Sequence, residues 1–373
     1  MLAKSRYIVP DIKQALSKKM VLISGPRQVG KTTLAKSLMR PSDYYLNYDF
    51  PKDKRALLKQ ELPSLTGLVV LDEIHKMKGW RNLIKGYFDK FNPRLKIIVT
   101  GSARLEHYRK AGDSLQGRYR HFRLNPLSVK ELALTSESDF LKLLTLGGFP
   151  EPYFSSSEKS ARIWRGDYHS RLIRDEIGPL ENFRDLSQLE LLAERLPELV
   201  ASPLSINSLR EDLDVAHLTV KRWLQAFENT YTIFRVYPFG AANIKAVKKE
   251  SKHYHYDWAL VEDEGARFEN LVALHLLKWV QFQQDVEGLV YELRFMRDLE
   301  EREVDLVVTH KTEPILAVEC KVKSKDISKP LIYFKRKFPR CRCVQVDYRS
   351  GKQFVSRDGI EALPALVFLN EFV

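Results

Sequence analysis

The stretch Gly25-Pro26-Arg27-Gln28-Val29-Gly30-Lys31-Thr32 constrains this chain more than any other. It matches GxxxxGK[ST] and lies between the apolar run MVLIS (20–24) and the helical pattern TTLAKSLM (32–39), the strand–loop–helix setting that the pattern needs. Gly25 and Gly30 let the backbone curl until its amides converge on an anion, and a helix beginning near Lys31 adds the positive end of its dipole. The expected ligand is a nucleoside triphosphate, ATP. Pro26, Arg27, Gln28 and Val29 complete the cradle, Lys31 reaches the β and γ phosphates, and Thr32 places its hydroxyl on Mg²⁺. Gly30 and Thr33 read as turn and helix-start residues. The runs MVLISG, YYLNYDF (44–50), GLVVLDE (67–73) and LKIIVTGSA (95–103) alternate with helical patterns, which predicts an α/β fold built on a parallel sheet.

In such a sheet a second acidic strand end approaches the phosphates. Leu68 to Glu73 is apolar until Asp72 and Glu73, so Asp72 would hold Mg²⁺ through water and Glu73 would orient and deprotonate an attacking water. The other reading of Glu73 is a solvated carboxylate at a helix start. Thr100 or Ser102, at the tip of the next strand, would hydrogen-bond that water or else cap a helix. Arg118 follows a glycine in the arginine-rich segment SLQGRYRHFRL. It is either an arginine finger, acting on a neighbouring subunit and so implying a homo-oligomer, or part of a solvated face.

The 373 residues, 44% hydrophobic and 29% charged, suffice for two or three globular domains and exclude a disordered linker. Three cysteines without a CxxC fit a reducing compartment, with no disulfide or zinc framework. No secretory leader and no apolar run of membrane-spanning length is present, so a soluble, cytoplasmic protein with no membrane partner is expected. The net charge of +13 favours polyanionic partners. It is concentrated in residues 1–180, with 33 basic against 18 acidic side chains, whereas 181–240 carries −3 and 241–373 only +1.

The expected divisions are 1–127 for the P-loop core, 128–185 for a helical subdomain, 186–240 for a winged helix and 241–373 for a second α/β unit. Three helix patterns followed by a short strand pair, ending TYTIFRVYPF, suit a winged helix; its third helix buries Val220, Trp223, Leu224 and Phe227. In the last unit, ILAVECKV (315–322) alternates as a half-buried strand with Glu319 and Lys321 on one face. EVDLVV (303–308) sends Asp305 to the face opposite Val304, Leu306 and Val308, so the two acids can meet. Glu269, on the helical segment ARFENLV, would supply a third carboxylate. Asp305, Glu269 and Glu319 as oxygen ligands for Mg²⁺ or Mn²⁺, with Lys321 stabilising a pentacoordinate phosphate, would make a phosphodiesterase site acting on DNA. The alternative is an ordinary ion pair on a sheet. Residues 321–342 hold nine basic side chains against Asp326 alone, a candidate backbone-binding patch. His253 and His255 read as strand residues, and Cys341 and Cys343 lack further metal ligands nearby.

The order GPRQVGKTT, VVLDEIHK, TGSA, GR, LNPLS, GGFPE, winged helix, FENLV, EVDLVV and VECK resembles the prokaryotic AAA-type (AAA+ superfamily) ATPases that carry a C-terminal domain of unknown function. The resemblance implies Lys31, Thr32, Asp72 and Glu73 at the nucleotide and Arg118 as the finger. It also implies a C-terminal fold similar to restriction-endonuclease-like PD-(D/E)xK nucleases, with Glu269, Asp305, Glu319 and Lys321 on its motif. The expectation is an ATP-hydrolysing protein whose nucleotide state gates a nuclease-like domain acting on DNA. The alternative is a degenerate nuclease fold that binds nucleic acid or protein under ATPase control.

Overall fold

The computed structural model describes residues 6–101, 115–177, 186–240, 250–323 and 326–373, without the side chains of Asp175 and Glu176. The chain forms two compact units, Met1–Asn125 and Pro126–Val373. Among the described residues no helix is long and apolar enough to cross a membrane.

The first unit is built on five parallel strands: β1 (Met20–Ser24), β2 (Tyr44–Asn47), β3 (Gly67–Asp72), β4 (Leu95–Thr100) and β5 (Tyr119–Arg123), in the order β2-β3-β4-β1-β5. Every residue of β1 is buried, because a central parallel strand is covered on both faces, and this is why its sequence is a continuous apolar run. Met20, Leu22, Val69, Leu71, Ile97 and Val99 pack on Trp80 and Ile84 of the helix Trp80–Phe91. Each such side chain contributes about 1.5–3 kcal/mol by leaving water. Since β4 lies between β1 and β3, the ends of three strands converge: Asp72 pairs with Thr100 in register, and Ser24 leads into the glycine-rich turn.

The second unit has an eight-stranded mixed sheet in the order β12-β13-β11-β10-β9-β8-β6-β7. Its strands are β6 (Ile233–Pro238), β7 (Lys252–His255), β8 (Tyr291–Arg297), β9 (Glu303–His310), β10 (Glu313–Lys321), β11 (Arg342–Asp347), β12 (Phe354–Val355) and β13 (Glu361–Pro364). The strand pair expected before residue 240 is a single strand there. The partner of β6 is β7, beyond the connector, with Phe234 stacked on Tyr254 at 5.5 Å between ring centroids. β6 also pairs with β8, so this hairpin belongs to the large sheet and crosses the boundary expected at 240. The helices Leu186–Arg195, Ile206–Asp212 and His217–Asn229 precede it, and Val220, Trp223, Leu224 and Phe227 are buried.

β10 differs from the half-buried strand expected. It is flanked by β9 and β11 in the sheet, and its residues 316–319 are all buried, which puts Glu319 at 4% exposure. The turn from β8 to β9 is closed by Asp298, whose carboxylate accepts from the amides of Glu300 and Arg302 at 3.0 Å each and from Arg302 Nε at 2.8 Å. At the outer edge of the sheet, the side-chain amide of Asn270 stands beside β7: His255 N donates to Asn270 Oδ1 and Asn270 Nδ2 donates to His255 O, both at 2.8 Å. Asn270 belongs to the 19-residue helix Glu264–Phe282. That helix also pins the start of the unit. Val129 N donates to His275 Nε2 at 3.1 Å, and Lys278, 1% exposed, donates to Ser128 Oγ at 2.8 Å and pairs with Glu131.

Candidate functional site

The glycine-rich loop lies between β1 and the helix Lys31–Ser37. Gly25 sits at φ +146°, and a Cβ there would lie 2.2 Å from the carbonyl oxygen of Leu124; Gly30, at φ +101°, precedes the helix Lys31–Ser37. Both positions require glycine. Gln28 adopts φ +59° between them, while Val29 is fully buried and anchors the loop. The Lys31 ammonium, 8% exposed, donates to the carbonyls of Gly25 at 2.8 Å and Pro26 at 2.6 Å, so it lies within the loop whose phosphates it is expected to bind.

Asp72 is the hub of the site. Its Oδ2 accepts from Thr32 Oγ1 at 2.8 Å and from the Tyr45 hydroxyl at 2.7 Å, and its Oδ1 accepts from Thr100 Oγ1 at 2.6 Å. Three hydroxyls from three different elements fix the carboxylate. Burial, reinforced by the hydrogen bond to Asp72, pushes the Tyr45 phenol well above its usual range and keeps it a donor. A hydroxyl and a carboxylate are oxygen donors of the kind Mg²⁺ accepts, and the contact of Thr32 with Asp72 brings the two to a common point. Glu73 is in the left-handed region at φ +56°, its amide bonded to Thr100 O at 3.0 Å. Its carboxylate lies 3.4 Å from Lys76 Nζ and 3.6 Å from His75 Nε2.

Thr100 binds Asp72, which gives it a positioning part beside the carboxylate, and Ser102 lies outside the described residues. Arg118 is not at the loop of its own chain. Its carbonyl accepts from Met20 N at the start of β1, whereas the phosphate loop follows Ser24 at the other end, about 16 Å away at the rise of a strand. Its guanidinium is held by Asp89, with Nε to Oδ1 at 2.6 Å. Tyr45 and Arg6 were not apparent from the sequence. Arg6 Nη1 donates to Val29 O at 2.9 Å and Nη2 to Asn125 O, tying the loop to the last residue of the unit.

In the second unit the four predicted residues meet, around a fifth. The register Leu306↔Val318 carries Asp305 to the position opposite Glu319, and Asp305 Oδ2 accepts from Cys320 N at 2.8 Å. Lys321 Nζ is 2.8 Å from Glu319 Oε1, while Glu319 Oε2 is buried without a hydrogen-bond partner. Glu269 Oε1 accepts from the Tyr254 hydroxyl at 2.7 Å and from Lys252 Nζ at 3.2 Å. Lys252, fully buried, also pairs with Glu303 at 2.5 Å. Burial and then the charge of Asp305 push Glu269 up to about 8 and Glu319 up to about 7, and burial raises Asp305 as well. The Lys252 pKa rises too, but for a lysine that favours the charged form: burial opposes its charge, yet Glu269, Asp305 and Glu303 outweigh burial.

The predicted metal set does not fit a metal ion as placed. Among the described residues no three His, Cys, Asp or Glu side chains are grouped to hold one, and the cation among these acids is an ammonium. The basic patch is smaller than its sequence. Lys335 donates to Pro339 and Cys341 carbonyls, Arg336 pairs with Asp358, and Arg342 pairs with Glu361 and Glu371. Lys325 lies outside the described residues, while Lys323, Lys329, Lys337 and Arg340 are exposed.

Three family models match. Residues 17–133 match one described as an AAA domain, residues 137–263 a domain of unknown function (DUF8612), and residues 264–368 a domain of unknown function (DUF4143). Uncharacterized proteins of Mycobacterium bovis and Mycobacterium tuberculosis are each 25% identical over 265 residues, which is 70% of this chain and 59% of each relative. The match thus spans less than two thirds of those relatives. A solved structure, the Aeropyrum pernix ORC1 protein in complex with DNA, aligns at 13% identity with a TM-score of 0.34, covering 72% of this chain and 91% of that one. The loop geometry and the first family model together support an AAA-type, P-loop ATPase-like domain in the N-terminal third.

Proposed function

We propose that this chain binds and hydrolyses ATP, and the observation that carries the reading is the junction of Thr32 and Asp72 beside the loop of Gly25, Gly30 and Lys31. In this reading Lys31 exchanges its two carbonyl partners for phosphate oxygens, which are stronger, charged acceptors. Thr32 and Asp72 would hold Mg²⁺, which supplies charge neutralisation between the β and γ phosphates. Tyr45 and Thr100 keep the Asp72 carboxylate aimed at that point. Glu73 orients the attacking water and takes its proton, while Lys76 and His75 set its direction. Arg118, remote from its own loop, serves as a finger only across a subunit contact, so a homo-oligomer is part of the proposal. Phosphate release tests it: Lys31→Ala should lower turnover by at least ~100-fold, in line with loss of a key electrostatic donor. Turnover equal to wild type in that variant would overturn the reading.

For the second unit we propose a nuclease-like fold that binds nucleic acid or a partner under ATPase control and does not cut. The three helices before the β6–β7 hairpin support a winged-helix reading of 186–255, and the exposed cations Lys323, Lys329, Lys337 and Arg340 supply an anion-facing surface. The misfit of a metal ion to Glu269, Asp305 and Glu319 favours this over gated cleavage. Supercoiled and single-stranded DNA incubated with Mg²⁺ or Mn²⁺, with and without ATP, should stay intact. Cuts that disappear in Glu319→Ala would restore the nuclease.

A further inference from the structure

β7 sends Lys252 and Tyr254 to one face, and both end on Glu269. Lys252 is surrounded on every side that the structure describes. Its backbone is paired with Val236 in β6 and bridged to Pro203, its ammonium is 5.5 Å from the centroid of the Phe295 ring, and two carboxylates, Glu269 and Glu303, bind it. The side chain is 0% exposed, so it has no route to water unless the strand itself opens. On the neighbouring strands Asp305 is satisfied in part by the Cys320 amide, and Glu319 by Lys321 through one oxygen, with the Ser328 side chain also facing its carboxylate. The cluster therefore holds four acids and two lysines, one of them permanent and interior.

We infer that Lys252 is the resident cation of this cluster and takes the electrostatic place of a divalent ion, so that the second unit folds and binds its partners without metal. A carboxylate group that coordinates Mg²⁺ or Mn²⁺ has to present its charge to the ion; here Glu269 and Glu303 already direct theirs at an ammonium that cannot withdraw, and a second cation brought to the adjoining Asp305 and Glu319 would be repelled by it. Lys321 differs, since its side chain is 43% exposed and can turn toward solvent. The inference rests on the non-cutting reading of the second unit and names the residue responsible.

Manganese titration of the full chain tests it, with free Mn²⁺ followed by its paramagnetic resonance signal. Lys31→Ala without nucleotide is the background, so that the phosphate loop contributes no ion. The background protein should take up no Mn²⁺ that Glu319→Gln removes. Adding Lys252→Met should create uptake, strengthening the apparent affinity by roughly tenfold or more as one like charge leaves the site, and Glu319→Gln should abolish it again. Circular dichroism checks that Lys252→Met is folded. If it is not, the background titration against Glu319→Gln still decides. Uptake in the background that depends on Glu319, or a folded Lys252→Met protein with no uptake, overturns the inference. Glu319-dependent uptake with intact DNA would sink this inference alone, and uptake accompanied by DNA cuts would sink the non-cutting reading with it.

Discussion

Gly25 leaves no room for a methyl group, because a Cβ would overlap the Leu124 carbonyl and the backbone is already at φ +146°. Gly25→Ala should cost about 1–3 kcal/mol in the first unit through backbone strain, read as a lowered melting temperature, and should also abolish ATP binding. Tyr45→Phe is milder: it removes one of three hydroxyls on Asp72 and should cost about 1 kcal/mol while slowing hydrolysis more than it weakens nucleotide binding. At the acid cluster the sign of pH dependence follows from upward shifts. Glu319, raised from the ordinary 4.5 to about 7, binds its proton more tightly in the folded chain than in the unfolded one. Stability of the second unit therefore falls as pH rises from about 5 toward 8, and Glu319→Gln should flatten that slope in melts taken across the range. The motif residues were legible because a glycine-rich turn and an acidic strand end are contiguous words in the sequence. Tyr45 and Lys252 were not, since they act across 27 and 17 residues on partners that only the fold supplies.

The helix Glu264–Phe282 carries Glu269, Asn270, His275 and Lys278, each directed to a different neighbour. Its sequence discloses an amphipathic helix and nothing of these four engagements. Lys278→Met should destabilise the second unit by about 3–5 kcal/mol, because Glu131 would be left buried without its cation; denaturant unfolding reads the change. The parallel sheet of the first unit was legible from its alternating runs, and the helices at 186–229 from their periodicity. The hairpin was not: the connector that separates β6 from β7 hides their pairing, and aromatic content alone makes 231–238 look like two strands. β10 was misjudged for a related reason. Its period-two pattern is that of a strand with one wet face, whereas covering both faces near Glu319 follows from helices placed elsewhere in the chain.

The division into Met1–Asn125 and Pro126–Val373 puts the phosphate loop and the acid cluster in separate units, each with its own sheet. Assembly of whole chains would enter through Arg118, as proposed above. If it acts across a subunit contact, wild-type turnover per chain should rise with protein concentration, and Arg118→Ala should keep nucleotide affinity while losing ~10³-fold in rate, the scale of an arginine finger. A rate unchanged in that variant would place Arg118 with Asp89 as a surface ion pair alone. The position of Arg118 at the far end of the sheet follows from strand direction, which the sequence does not write down. Asn270 has a consequence of another kind. The last strand of a sheet leaves amides and carbonyls without a ladder partner, and β7 is such a strand, buried along its whole length. By answering both groups of His255 with one side-chain amide, Asn270 impersonates the next strand inside the core, where both residues are at most 1% exposed, so its loss strands two buried backbone groups and should appear first as a lowered melting temperature rather than as a lost activity.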